Sequence, residues 1–110
     1  MAKYAFFFGY SAASWARMIS APGDRTAAVR RMLDSVGGSL ESVYWMFGGH
    51  DGFVIADIPD SVAAATVSVA AASTGAFDHS VTHELLTQEQ LEQALRQAQK
   101  SAREFPAPAR

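Results

Sequence analysis

The chain contains no cysteine. Disulfide frameworks, thiolate metal sites and cysteine nucleophiles are therefore excluded at the outset. Charge of either sign is sparse, with nine Lys and Arg against eleven Asp and Glu and a net charge of −2. The cations are scattered, and no basic run is longer than Arg30–Arg31. A nucleic-acid partner calls for a positive footprint, which this sequence lacks. Long apolar runs are missing too. The alanine-rich stretch near residue 70 is broken by Thr and Ser and is too short and polar to span a bilayer. The opening "MAKYAFFFGYSAA" is the one candidate for a secretory leader. Its apolar run is short and carries two tyrosines and a glycine, so it reads as a strand. The expectation is a cytoplasmic protein with neither a membrane nor a nucleic-acid partner.

What the chain does have is 110 residues, 49% of them apolar, with no repeat and no linker. That composition suits one folded domain, expected over residues 1–104, with residues 105–110 a flexible tail. "KYAFFFGY" is short and aromatic, as in a strand. "SAASWARMIS" carries Trp15, Met18 and Ile19 at helical spacing for a turn or two, until Pro22 and Gly23 intervene. Asp24 is an N-cap for a helix whose apolar face is Val29, Met32, Leu33 and Val36, and Gly37 and Gly38 close it. "SLESVYWMF" and "FVIADI" read as a hairpin around the glycine-rich "GGHDG". Pro59 and Asp60 open a second helix that stops at Gly75. "AFDHSVTHELL" is β-branched and reads as a strand, and Thr87 with Gln90 forms a capping box for a last helix through about Arg103.

Strand, helix, strand, strand, helix, strand and a terminal helix make an α+β, ferredoxin-like βαββαβ plan with an antiparallel sheet. Side chains alternate between the two faces of a strand. In the first strand Ala5 and Phe7 oppose Tyr4, Phe6 and Phe8; in the third, Phe53 and Ile55 oppose Val54, Ala56 and Ile58. Both faces are apolar, although the two main helices suffice for only one of them. A large exposed apolar patch must be covered. A second copy of the same sheet is the simplest cover, so the expected partner is the chain itself, as a homodimer or larger homo-oligomer. The terminal helix is the alternative cover.

With these residues laid out, the chain resembles the GYD domain family, within the dimeric α/β-barrel group of ferredoxin-like folds. The likeness rests on "GGSLESVYW", on "GHD" followed by "GFVIADIPD", on the glycine after the second helix and on "LLTQEQ". The resemblance implies small homo-oligomers whose sheets pack face to face. It carries no established reaction. Similar barrels include cofactor-independent monooxygenases, lactone isomerases, haem-binding proteins and the ligand-sensing domain of leucine-responsive-type regulators, so fold alone assigns no activity. Two departures stand out. His50 occupies the position of the family's central Tyr, and "THELL" stands where a basic residue is more typical.

The candidate catalytic residues are His50, Asp51 and His83. Adjacent residues on a strand face opposite ways, so Asp51 does not orient His50 there. The structural alternative is that Gly48, Gly49 and Gly52 supply positive φ angles to a turn in which Asp51 bonds backbone. His79 and His83 share a face on a strand but stand about 13 Å apart, too far for one metal ion; no metal and no bound cofactor are expected. Tyr10, Trp15, Tyr44, Trp45 and His79 are the candidate ligand-binding residues; the four aromatic ones read first as plain core, and their polar ends, which need hydrogen-bond partners, keep the pocket reading open. Arg17 and Arg25, near the helix break, read first as solvated surface, with reception of an anionic group as the alternative. The leading expectation is a small-molecule-binding or accessory protein. A cofactor-independent enzyme, isomerase or monooxygenase-like, acting on a small aromatic or polyketide-like substrate is the alternative. A haem-binding protein and a pure assembly protein remain as further readings.

Overall fold

The computed structural model describes residues 1–109. Its elements follow in the order β1 (Ala2–Tyr10), α1 (Ala12–Ser20), α2 (Arg25–Asp34), β2 (Ser39–Trp45), β3 (Gly52–Ile58), α3 (Ser61–Ser73), β4 (Phe77–Leu85) and α4 (Gln88–Glu104). The strands form one antiparallel sheet in the order β2-β3-β1-β4, the α+β ferredoxin-like arrangement. No helix is long and apolar enough to cross a membrane among the described residues.

Local chemistry sets the element ends. The Asp24 carboxylate accepts from the backbone N–H groups of Thr26 and Ala27, and Asp60 accepts from that of Ala63, so each caps a helix start. At α4 both halves of the capping box form: Thr87 Oγ1 accepts from Gln90 N, and Gln90 Oε1 accepts from Thr87 N. Beyond α2 and α3, Gly37 and Gly75 take the left-handed conformation, at φ 74° and 72°. The hairpin differs from expectation. Only Gly48 has a positive φ there, at 137°. β2 ends at Trp45 rather than at Phe47, because Met46 N donates to Asp51 O and closes the turn at 2.9 Å, leaving Phe47 in solvent. Gly52 serves a different purpose: a Cβ there would lie 2.7 Å from the Phe8 ring, so its hydrogen lets that ring settle into the core.

Tyr4, Phe8, Tyr10, Val54, Ala56 and Ile58 face α2 and α3, which contribute Leu33, Ala64 and Val67 to one buried cluster. The alanine content of α3 permits this close approach to the sheet. Tyr4 donates its hydroxyl to Glu84 on β4 at 2.8 Å. The opposite face has no helix on it. Cross-strand pairing sets Tyr44, Phe53, Phe7 and Val81 in a row across it, with Ile55, Ala5 and His83 in the next. Phe7, Phe53 and Ile55 are half-buried by one another, while Tyr44 remains 63% exposed. The terminal helix does not supply the cover. Every residue of α4 is exposed, and the radius of gyration, 17.8 Å, is well above the ~13 Å of a compact chain this long. Leu91, Leu95, Ala98, Ala102 and Phe105 recur at alternating spacings of four and three, one apolar stripe with nothing packed on it.

Two groups tie stability to alkaline pH. The hydrogen bond to Glu84, followed by burial and the charges of Glu84 and Asp60, raises the Tyr4 phenol above its ordinary 10.0. Hydrogen bonds to Glu41 and then Asp57 raise the Lys3 ammonium above 10.5. A folded-state pKa above the unfolded one stabilises the fold below the unfolded value, and that contribution disappears as pH rises through the folded value. Comparing urea midpoints of the intact chain and Tyr4→Phe isolates the first group. The intact chain is the more stable at pH 8, and its advantage shrinks by pH 11; an unchanged advantage contradicts the linkage.

Candidate functional site

Two places in this fold have the makings of a site, one on each side of the sheet. On the helix side, α2 and α3 do not close fully over β1 and β4. Between Phe77 and Glu84 the helix-facing residues of β4 are Ser80 and Thr82, and α3 lines the same cavity with Ser68 and Ala71. These small side chains leave a cavity of 340 Å³ whose other walls are mainly aromatic and aliphatic, among them Phe6, Phe8, Val29, Met32, Val67 and Phe77. Arg25, exposed at the start of α2, is the one charged residue lining it among the described residues, and it forms no ion pair there. The Ser68 and Thr82 hydroxyls bond each other at 2.7 Å across the wall. No buried side-chain polar atom lacks a partner among the described residues. The cavity therefore selects by shape and apolarity, with polar contacts confined to hydroxyls and to Arg25.

The second place is the open face, where all three histidines of the chain lie. Nδ1 of His50 is 2.9 Å from Nε2 of His79, and Nδ1 of His79 is 2.6 Å from Oδ1 of Asp78. Neighbours on a regular strand do not meet in this way. Here the pairing of β4 with β1 shifts: Gly9 lies opposite His79 and Tyr10 opposite Phe77, so Asp78 is left without a partner in a bulge. A bulge re-aims side chains, and this one brings Asp78 onto the His79 ring. Gly9 is the floor beneath them. A Cβ at Gly9 would stand 2.2 Å from Cε1 of His79 and 2.5 Å from the Asp78 carboxylate. The His50 ring lies 5.2 Å from that of Phe7, and the His83 ring lies 6.3 Å from it, edge-on.

Asp51 belongs to neither site. Its backbone N–H donates to Phe8 O at 2.8 Å, its carboxylate accepts from Tyr10 N at 2.8 Å, and its carbonyl holds Met46. It bonds backbone, that of β1 and the turn, and fixes the position of the adjacent His50. The aromatic set expected to bind a ligand is divided between faces. Tyr10 lines the helix-side cavity, accepts from Trp45 Nε1 at 3.1 Å and meets Trp15 edge-on at 5.1 Å. Tyr44 and His79 lie on the open face, with Tyr44 against Phe53 at 5.7 Å. Arg17 is exposed near the end of α1 and does not line the cavity. Sequence reasoning missed Asp78, Gly9 and Phe7. The "DH" at 78–79 was the available signal, obscured because a bulge is not visible in strand periodicity. No group of three or more His, Cys, Asp or Glu side chains is placed to hold a metal ion among the described residues.

The GYD domain family model matches residues 4–95, from the first strand into the terminal helix. This chain belongs to the GYD domain family. No curated protein matches it. Membership accounts for the fold, but leaves the chemistry of this GYD domain to be argued from its own side chains.

The seat of His79 provides a direct check. The three atoms nearest to a Cβ at position 9 all belong to side chains, those of His79 and Asp78, so Gly9→Ala is expected to keep the sheet but push the His79 ring away. Two imidazoles sharing a hydrogen bond show a nitrogen–nitrogen coupling by NMR. It is expected in the intact domain and absent in Gly9→Ala; a coupling that survives the substitution contradicts this seating.

Proposed function

We propose that this GYD domain is a small-molecule-binding protein that works as a homodimer, with its ligand in the helix-side cavity. The observation that carries the reading is the cavity itself. Its volume falls at the lower end of the ~300–1,000 Å³ typical of ligand pockets, and small residues on two elements keep it open. Its lining suits a compact, mostly apolar molecule. A single acidic group on that molecule would pair with Arg25, which has no carboxylate of its own among the described residues. Tyr10 joins the cavity to the Trp15 and Trp45 rings, so an aromatic ligand meets an aromatic end wall.

Two unpartnered apolar surfaces support the dimer. One is the open sheet face around Phe7, Phe53 and Ile55, and the other is the stripe along α4. A second copy placed against the first buries both, and a contiguous apolar patch of this kind is seldom left in water. The cavity lies on the opposite side of the sheet, so dimer formation leaves it open to ligand.

The dye 1-anilinonaphthalene-8-sulfonate, an aromatic body with one anionic group, is a suitable probe. It is expected to bind one per chain with enhanced fluorescence. Ala71→Trp, which fills the cavity, abolishes that binding, and Arg25→Ala weakens it by about tenfold, the cost of a partly exposed charge-assisted contact. Dye binding by Ala71→Trp as tight as that of the unaltered chain would overturn the assignment of the cavity.

A further inference from the structure

We propose that Tyr10 is a specificity-determining residue of the helix-side cavity, where its O–H hydrogen and the Arg25 guanidinium together receive the carboxylate of a compact arylalkanoic acid. The inference rests on the reading of that cavity as a ligand site, and it names the class of ligand the cavity takes.

The hydrogens of the polar side chains single out Tyr10. Tyr10, Arg25, Ser68, Thr74, Ser80 and Thr82 are the polar residues lining the space. Ser68 and Thr82 bond each other at 2.7 Å. Thr74 Oγ1 donates to Ala71 O at 2.7 Å and accepts from Ala76 N at 3.1 Å. Ser80 and Arg25 are exposed to water. Tyr10 alone of the set is buried, with 6% of its surface exposed. Its oxygen accepts from Trp45 Nε1–H at 3.1 Å. A phenol also has one hydrogen to give, and no acceptor among the described residues takes it. A buried donor left unaccepted is costly, so an acceptor on a ligand in this cavity is favoured.

The surroundings hold the phenol in place and strengthen it as a donor. Its ring stacks on Phe77 at 5.4 Å and meets Phe8 and Trp15 edge-on at 5.3 and 5.1 Å. The Trp45 N–H bonded to the phenol oxygen draws electron density from the O–H, as happens when hydrogen bonds run in a chain. Donor position and donor strength are thus set before a ligand arrives.

Topology brings a positive charge to the same end of the sheet. α2 runs toward the start of β2, where Ser39 pairs with Asp57, so its other end, at Arg25, lies beside the end of β1, at Tyr10. β4 opens at this end too, with Phe77 opposite Tyr10, and Ser11 N donates to Ala76 O at 2.9 Å. No Asp or Glu lines the cavity among the described residues. A carboxylate has two oxygens, one to accept from the phenol and one from the guanidinium, and hydrogen bonds to an ionised acceptor are the stronger kind. The apolar walls, among them Phe6, Val29, Met32 and Val67, take the aryl body. A ligand of the same shape without an acceptor leaves the Tyr10 hydrogen unpaired and is discriminated against.

3-Phenylpropionate and propylbenzene share a carbon skeleton and differ in the carboxylate, which makes them a matched pair of probes. Each is titrated by NMR into the full chain, Tyr10→Phe and Ala71→Trp. Tyr10→Phe is expected to weaken 3-phenylpropionate by about tenfold, the worth of a hydrogen bond to a charged group, and to leave propylbenzene unchanged. The Trp45 indole N–H gives a second readout in the unaltered chain. Its resonance should shift further with 3-phenylpropionate than with propylbenzene, because only the carboxylate draws on the Tyr10 hydrogen. Equal weakening of both probes, no weakening of either, or a Trp45 resonance that moves alike with both overturns the inference. In those cases propylbenzene binding that Ala71→Trp abolishes still upholds the cavity as the ligand site. An unaltered chain that binds neither probe overturns both.

Discussion

The central strand carries bulky apolar residues on both sides, and the rest of the structure is arranged around that constraint. β1 is hydrogen-bonded to β3 on one edge and β4 on the other. Its pairing sets Phe7 between Phe53 and Val81 on one face, and Phe8 between Gly52 and Ser80 on the other. α2 and α3 satisfy the Phe8 side by burying it with Leu33, Val54 and Val67. Nothing among the described residues does the same for the Phe7 side. α4 does not cover it either, since every one of its residues is exposed and its own apolar stripe lies in solvent. Packing within the chain thus covers one of the two apolar faces of the sheet, and the proposed second copy would cover the other.

The two sites differ in kind because the two faces of β4 differ. Toward the helices β4 presents Ser80 and Thr82, too small to fill the space beneath α3, and a cavity results. Toward the open side it presents His79, Val81 and His83. One side therefore offers volume with little polarity, suited to holding a molecule. The other carries a hydrogen-bonded chain of two imidazoles and a carboxylate at the edge of an apolar surface.

Much of this was legible in the sequence. The element order, the caps at Asp24, Asp60 and Thr87, and the division of Ala5 and Phe7 from Tyr4, Phe6 and Phe8 all followed from local pattern, because capping and alternation are short-range effects. What eluded it depends on register. Asp78 and His79 look like neighbours that face apart, exactly as His50 and Asp51 do, and one unpaired residue in β4 reverses that for the first pair only. The "GGHDG" turn was read as three glycines with positive φ, whereas Gly48 alone has it and Gly52 is required by the Phe8 ring. The aromatic candidates were grouped by residue type, and the sheet then divided them between its two faces. Cavity volume is likewise invisible in sequence, since it depends on which small residues of distant segments come to face each other.

The central claim is that the face bearing Phe7, Phe53 and Ile55 is covered by a second copy of the chain. Equilibrium sedimentation of the full chain at micromolar concentration, alongside Phe53→Glu, tests it most directly. The account predicts a mass of two chains for the first and of one chain for the second, because a carboxylate at that position meets an apolar partner surface. A full chain that sediments as a monomer at every concentration would contradict it.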